Sequence, residues 1–255
     1  MTAIETDKLT RTYGSRTVVD GLDLHVPEGT VHALLGPNGS GKTTTVRMLA
    51  TLLRPTSGHA RILGYDTVTD SASVRRRIGL VSQSHAVDRR LTGAENLTMV
   101  ARLHGMSRRD ARRHARDVLD RFDLADAANR PVHTYSGGMR RRLDILAGTI
   151  VRPAVLFLDE PTTGLDPRSR NEIYEHLSES VDAGTTVILT TQYLDEAERL
   201  ADDITILDGG RVVTTGTPDE LTAAVGTGLD VVVTADHGDR TQAVLARFGA
   251  RHVGT

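Results

Sequence analysis

The sequence predicts an α/β fold with a mostly parallel central sheet. Apolar, strand-like runs alternate with amphipathic helical segments through most of the 255 residues, an alternation typical of parallel sheets covered by helices. The run AVLFLD at 154–159 is continuously apolar, as expected of a strand buried on both faces. A further strand-like run, at 30–35, leads directly into a glycine-rich loop and a helical segment. The length suits one such domain with a small addition.

The N-terminal region predicts an antiparallel β subdomain. Residues 1–35 read as short strands, with turns at Asp20-Gly21 and Glu28-Gly29. An amphipathic helix is predicted at 45–53. Further strands are predicted at 60–64 and 78–83.

The middle of the chain predicts an inserted helical subdomain at about 85–150. Thr92 and Glu95 have the spacing of a capping box, which opens a helix at Gly93. Residues 106–124 have helical periodicity with one strongly charged face. Ser136 precedes a further helix.

Strands and helices alternate again in the last part. Asp166-Pro167 has the pattern of a helix start. The predicted elements are a helix to about 182, a strand at 186–191, a helix at 193–201, a β-hairpin at 204–216 and a short helix ending at Gly226. A strand at 229–234 and a helix at 241–249 follow. We therefore predict a domain over 1–225 and a C-terminal extension over 226–255.

Composition excludes several classes of protein. Aromatic residues make up 3% of the chain and the net charge is -2, which disfavours a nucleic-acid partner. With no Cys, disulfides and thiolate chemistry are excluded. The N-terminus lacks the pattern of a secretory signal. No apolar run approaches the roughly 18 residues needed to span a bilayer, so we expect any membrane role to go through a partner.

Residues 36–43 fit the phosphate-binding pattern G-x-x-x-x-G-K-[ST]. Its backbone N–H groups cradle phosphates, its Lys reaches the β- and γ-phosphates, and its hydroxyl binds Mg²⁺. Lys42 and Thr43 hold these two positions. The pattern predicts ATP and Mg²⁺ as ligands, with the nucleotide held by Gly36, Pro37, Asn38, Gly39, Ser40, Gly41, Lys42, Thr43 and Thr44.

Two acids follow the buried strand at 154–159. The carboxyl ends of parallel strands are where such sheets bind ligands. Asp159 is therefore a candidate Mg²⁺ ligand, and Glu160 a candidate base that polarises the attacking water. A pair of surface acids in a turn is the alternative.

Ser136, Gly137 and Gly138 form a second candidate anion site at the start of a helix. Simple helix capping is the alternative, and taken alone it is the better one. One nucleotide cannot use two distant phosphate sites in one chain. Two chains arranged head to tail could, each closing its Ser-Gly-Gly end over the other's nucleotide.

The motifs GPNGSGKTT, Gln83, YSGGM, LFLDEP and GLDP, in this order and spacing, resemble those of the ABC ATPase family over residues 3 to about 224. The resemblance implies a RecA-like P-loop NTPase core and an ATP-hydrolysing transporter subunit. YSGGMRRRLD and TTQYLDEAE are most similar to the daunorubicin-resistance type of exporter subunit. That type implies export of a small hydrophobic compound through a separate transmembrane permease, with this chain peripheral on the cytoplasmic face of the cell membrane.

The resemblance also implies individual roles. Tyr13 would stack on adenine, with an ordinary strand aromatic as the alternative. Gln83 would contact Mg²⁺ and the attacking water and respond to the permease. Asp166 would cross the interface between two copies of the chain. In the resembling subfamily the chain continues into an accessory domain, so 226–255 is expected either to dock on the main domain or to be the start of a truncated accessory domain.

One position departs from the general family pattern. Most ABC ATPases have a His that contacts the γ-phosphate where this chain has Gln192. A Gln side chain can donate a hydrogen bond but cannot become cationic. We expect Gln192 to keep the phosphate contact without a charged role.

Two other functions remain open. A soluble ABC ATPase of translation or DNA repair is disfavoured, because the chain has one phosphate loop and no zinc or coiled-coil insertion. A nucleotide-binding regulator with slow or no hydrolysis is disfavoured by Glu160 and kept open by Gln192. We interpret the Arg-rich helical face at 108–116 as solvated, and 84–97 as the stronger candidate for permease contact.

Overall fold

The computed structural model describes residues 1–82 and 87–226. The strands are β1 (Thr2–Tyr13), β2 (Arg16–Pro27), β3 (Val31–Leu35), β4 (Ser57–Ile62), β5 (Tyr65–Asp66), β6 (Ile78–Val81), β7 (Val155–Asp159), β8 (Thr186–Thr191), β9 (Asp203–Asp208) and β10 (Arg211–Gly216). The helices are α1 (Lys42–Leu49), α2 (Ser71–Arg75), α3 (Gly93–Leu103), α4 (Arg108–Arg121), α5 (Gly137–Thr149), α6 (Pro167–Asp182), α7 (Leu194–Leu200) and α8 (Pro218–Gly226).

The central sheet confirms the predicted fold class. Its strand order is β10-β9-β3-β8-β7-β6. Strands β9, β3, β8, β7 and β6 pair in parallel, while β10 pairs antiparallel to β9 as the predicted hairpin. Strands β3, β7 and β8 are buried along their whole length, which explains their uniformly apolar or Thr-rich sequences.

An antiparallel sheet of order β2-β1-β4-β5 forms the predicted N-terminal subdomain. The prediction of short strands was wrong, because β1 and β2 are each 12 residues long. Their pairing contains several register shifts, for example between Thr6 and Leu9. Each shift breaks the alternation of inward and outward residues, so one long strand reads as several short ones.

Helix α1 also differs from its prediction at both ends. It begins at Lys42, inside the glycine-rich loop, and ends at Leu49, whereas periodicity predicted 45–53. The first turn is polar because it belongs to the loop, so apolar periodicity could not detect it. The chain leaves the helix through Thr51, whose positive φ of 64° ends the helical geometry.

The helical region has a hydrophobic cluster of its own, formed by side chains such as Leu97, Leu119 and Leu143. A separate cluster joins the N-terminal sheet, α1 and the central sheet. Thr92 and Glu95 form the predicted capping box at the start of α3. Helix α4 is shorter than the predicted 106–124, because Ser107 caps its N-terminus and it ends at Arg121.

Strand β8, the β9–β10 hairpin and helices α6 and α7 match their predictions closely, whereas β4 lies at 57–62 and not at the predicted 60–64, and β5 and α2 were not predicted. Asp166 is the N-cap of α6, with Pro167 in the first turn and the end at Asp182. Two compact units are found, Met1–Pro218 and Asp219–Thr255, and the proposed domain limit at 225 stays a prediction. The elements predicted at 229–234 and 241–249 lie outside the described residues. Among those described, no helix is both long and apolar enough to cross a membrane.

Candidate functional site

The glycine-rich loop lies at the carboxyl end of β3, between the N-terminal sheet and the central sheet. The Gly36 N–H donates to the Thr191 carbonyl at the end of β8, 3.2 Å away. A Cβ on Gly36 would collide with the Leu207 carbonyl, and one on Gly41 would lie 2.7 Å from the Val18 carbonyl. Close backbone packing therefore requires glycine at both positions, and at Gly41 the φ of 103° requires it as well.

Lys42 extends back across the loop that precedes it. Its Nζ donates to the Gly36 carbonyl at 2.7 Å and to the Pro37 carbonyl at 3.0 Å. Burial lowers the pKa of Lys42, while the nearby charges of Glu160 and Asp159 act to raise it. Lys42 is therefore 4% exposed, and its ammonium group is held against the carbonyls of the glycine-rich loop, where it can meet phosphates bound by that loop.

Thr43 and Asp159 are brought together across α1 and β7. The Thr43 hydroxyl donates to Asp159 Oδ1 at 3.0 Å, and the Thr190 hydroxyl donates to the same oxygen at 2.7 Å. A hydroxyl beside a carboxylate is an oxygen donor pair that fits Mg²⁺, which completes its octahedral shell with waters and substrate phosphates. The residues present therefore fit a Mg²⁺ ion at this position.

Glu160 follows Asp159 in a left-handed backbone conformation with φ of 49°. Its N–H donates to the carbonyl and to the hydroxyl of Thr190, each at 3.1 Å. The Thr163 hydroxyl donates to the carboxylate at 3.4 Å. Because Asp159 directly precedes it, the Glu160 backbone lies beside both Thr43 and the β8 strand end.

Ser40 and Gln192 lie in the segments that follow β3 and β8, at the carboxyl edge of the central sheet, whereas Tyr13 lies in the N-terminal sheet. Ser40 Oγ is buried and has no hydrogen-bond partner among the described residues, so it is available to a ligand. Gln192 follows β8 and donates to the Tyr193 hydroxyl at 3.3 Å. Tyr13 ends β1, is 47% exposed and carries the Arg11 guanidinium over its ring at 4.4 Å. Gln83 lies outside the described residues.

The turn at Ser136 packs beside helix α6, whereas the glycine-rich loop packs beside β2 and β9. Ser136 Oγ accepts the Met139 N–H at 3.2 Å, which leaves the first N–H groups of the helix, those of Gly137 and Gly138, without an intrahelical partner. Helix α6 is adjacent, since a Cβ on Gly138 would lie 3.6 Å from Ser169 Oγ. Helix capping by Ser136, the alternative to an anion site, is therefore present. It satisfies the Met139 N–H and leaves those of Gly137 and Gly138 without an intrahelical partner.

Asp166 is exposed at the N-terminus of α6. Its carboxylate accepts the Ser169 N–H at 3.0 Å and the Ser169 hydroxyl at 2.8 Å. These hydrogen bonds lower the pKa of Asp166, so it carries a negative charge at neutral pH. It directly precedes α6 and lies more than a hundred residues after the glycine-rich loop in the chain.

Sequence reasoning missed two residues that shape the site. Thr190 holds both Asp159 and Glu160, and the only signal for it was a pair of Thr residues at the end of a buried strand. Arg141 lies on α5 and donates to four backbone carbonyls, including those of Asp159 and Glu160. Its position within a run of three Arg residues hid the fact that only 6% of it is exposed.

A family model described as ABC transporter matches residues 19–163. The chain belongs to the ABC transporter family. The daunorubicin/doxorubicin resistance ATP-binding protein DrrA of Streptomyces peucetius is 57% identical over 224 residues, which cover 88% of this chain and 68% of that protein.

Solved ABC structures agree with this assignment. An ATP-binding subunit of an ABC transporter matches with a TM-score of 0.80 and 29% identity, over 88% of this chain and 93% of that one. A dimeric ATP-binding cassette in a post-hydrolysis state, bound to ADP and Pi, matches with a TM-score of 0.78 and 27% identity, over 84% and 98%. The chain is therefore the ATP-binding, ATP-hydrolysing subunit of an ABC transporter.

Proposed function

We propose that two copies of this chain bind two MgATP molecules between them and power a separate transmembrane permease that exports a small hydrophobic, drug-like compound. The proposal rests on one observation above all. Two stretches of the chain have sequences suited to phosphate binding, and their neighbours differ: the glycine-rich loop packs on β2 and β9, and the Ser136 turn packs on α6. A single nucleotide cannot occupy both.

The first half of each ATP site comes from the glycine-rich loop and the β7 strand end. Lys42 and the loop N–H groups hold the phosphates, with Ser40 Oγ as a further donor. Thr43 and Asp159 would hold Mg²⁺, and the bound ion would neutralise negative charge on the phosphates. Glu160 orients and deprotonates the attacking water, and Gln192 donates to the γ-phosphate.

The second half comes from the partner copy. Gly137 has a helical backbone, and a Cβ placed on it would meet no atom within 4 Å. Nothing inside one copy requires glycine there, so the absence of a side chain is best explained by close approach of an external group. A phosphate on the N–H groups of Gly137 and Gly138 fits this, with Ser136 beside it and Asp166 at the same interface.

The transport role draws on the relatives' names. DrrA of Streptomyces peucetius is a daunorubicin/doxorubicin resistance ATP-binding protein, and other relatives are described as Nod factor export and linearmycin resistance ATP-binding proteins. These support export over translation or DNA repair. A permease partner would hold the chain peripherally at the cytoplasmic face of the membrane, where Tyr13 stacks on adenine and Gln83 relays the state of the ATP site.

Glu160→Gln tests the dimer and the base together. Removing the carboxylate removes the base but keeps the shape of the site, so the variant should bind MgATP with little turnover. Light scattering should show a monomer without nucleotide and a dimer with MgATP. The double variant Lys42→Ala/Glu160→Gln is the matched control and should remain monomeric, because it lacks the phosphate-binding ammonium.

Each of these measurements has a result that would contradict part of the proposal. Near-normal turnover in Glu160→Gln would remove Glu160 from the role of base. A variant that binds ATP, measured by filter binding, and stays monomeric would favour a nucleotide-binding regulator.

A further inference from the structure

Arg141 is a buried cation whose hydrogen bonds to the described residues all go to main-chain carbonyls. Its Nε donates to Pro161 O at 2.8 Å, and its Nη2 to Asp159 O at 3.1 Å and Glu160 O at 2.9 Å. Its Nη1 donates to Ser82 O at 2.7 Å. One guanidinium therefore binds three consecutive carbonyls around Glu160 and the carbonyl that precedes Gln83.

These contacts determine the conformation of the Glu160 backbone. A left-handed conformation is uncommon for a residue other than Gly, and it persists only where its surroundings over-determine it. Here Thr190 accepts the Glu160 N–H on one side, and Arg141 binds the Glu160 carbonyl on the other. The direction of the Glu160 carboxylate consequently depends on Arg141.

A simple role in the core explains Arg141 less well. Burial lowers its pKa, and the charges of Asp144, Asp159, Glu160 and Glu196 act against that. An apolar side chain of similar length could fill the space without the cost of burying a charge. An apolar residue lacks the five N–H groups of the planar guanidinium, and four of these five donate hydrogen bonds to the carbonyls of Ser82 and residues 159–161.

The position of Arg141 on α5 gives these contacts a second consequence. Arg141 lies five residues after Ser136, so about 7.5 Å of rigid helix separates the two. Asp144, one turn further along, accepts the Val87 N–H at 3.1 Å. Helix α5 thus carries the Ser136 end at its N-terminus and holds the Glu160 backbone from its side.

We infer that Arg141 is a positioning residue that couples the two ATP sites of the dimer, by tying the helix that closes over the partner's nucleotide to the loop that holds Glu160 for its own. This inference rests on the proposed function. When the partner's nucleotide draws the N-terminus of α5 into place, Arg141 moves the three carbonyls with it. Glu160 then reaches its working position only when both sites are filled.

The test is steady-state hydrolysis by the purified full chain as a function of MgATP concentration. Arg141→Met keeps the length of the side chain and removes every donor. We expect its kcat to fall about tenfold or more, from misplacement of Glu160, with KM changed less than about twofold. The Hill coefficient, above 1 in the wild type, should fall to about 1. Arg141→Lys, which can keep part of the hydrogen bonding, should lie between the two.

Arg142→Met is the matched control. Arg142 is the next residue on α5 and donates to Glu172 at 2.8 Å and to the Phe122 carbonyl at 3.3 Å, away from the loops. It should lower the melting temperature without changing the Hill coefficient. If Arg141→Met fails to fold, Arg141→Lys carries the test.

The possible failures can be told apart. If Arg141→Met and Arg142→Met have equal kcat and Hill coefficient, or the wild type hydrolyses ATP with a Hill coefficient of 1, the coupling role is overturned and the proposed function stands. If Glu160→Gln binds ATP and forms no MgATP-dependent dimer, the proposed function fails, and this inference with it.

Discussion

At the scale of single residues, burial decides what the ionisable side chains can do. His32 lies on β3, four residues before the glycine-rich loop, and is 2% exposed. Its Nε2 lies 2.9 Å from the Thr205 hydroxyl, and burial lowers its pKa from 6.5 to about 4. His176 on α6 shows the same shift to about 4, also mainly from burial. Both imidazoles are therefore neutral in the folded protein at neutral pH.

These two histidines predict a loss of stability in mild acid. In the unfolded chain each binds a proton near pH 6.5, whereas in the folded chain it does so only near pH 4. Their contribution is complete above about pH 6.5 and is lost as the pH falls towards 4. Each should lower the free energy of unfolding by about 2 kcal/mol between pH 7 and pH 5.

Urea unfolding of the wild type and His32→Gln at both pH values measures this contribution. The variant should be less stable at pH 7, but its loss on going to pH 5 should be smaller than that of the wild type by about 2 kcal/mol. Equal losses in the two proteins would mean that His32 is protonated in the folded state.

At the scale of elements, the sequence predicts best where one physical signal dominates. A continuous run of apolar or Thr residues predicts strands β7 and β8. The spacing of Thr92 and Glu95 predicts the capping box of α3. The length of β1 was hidden by register shifts, and the start of α1 by a polar first turn. Arg141 could not be recognised because its carbonyl partners come from two segments far apart in the chain, Ser82 and residues 159–161, and no local pattern records such contacts.

We expect one substitution in helix α5, Gly137→Ala, to affect stability and activity in opposite directions. Gly137→Ala adds a methyl group to open space in a helical position, so the free energy of unfolding should be unchanged or rise by up to about 0.5 kcal/mol. The same methyl group would lie where the partner's phosphates approach. ATP turnover and MgATP-dependent dimerisation should therefore fall.

Thermal melting and ATPase assays on the Gly137→Ala variant check this pair of effects. ATP binding to the glycine-rich loop, measured without dimerisation, should be unaffected. Full turnover in a stable variant would mean that nothing approaches Gly137.

At the scale of the whole molecule, the proposed functional residues of the described part of the chain lie on two separately packed regions. The glycine-rich loop, Asp159 and Glu160 belong to the region built on the central sheet, and the Ser136 turn to the region with its own hydrophobic cluster. The fold class and the loop could be predicted from the sequence, because apolar alternation and a contiguous motif report them. The spatial separation of the two regions could not, since it depends on packing between distant segments.

This separation has a genetic consequence. In the proposed dimer, Ser136 acts on the partner's nucleotide while Glu160 acts on its own. In a mixed dimer of one Ser136→Arg chain and one Glu160→Gln chain, both defects fall in the same site, and the other site contains only intact residues. Co-expression of the two alleles therefore distinguishes independent sites from coupled ones. Independent sites would regain activity at the intact site, whereas sites coupled through Arg141 should stay inactive, because the Ser136→Arg chain cannot draw its own α5 into place.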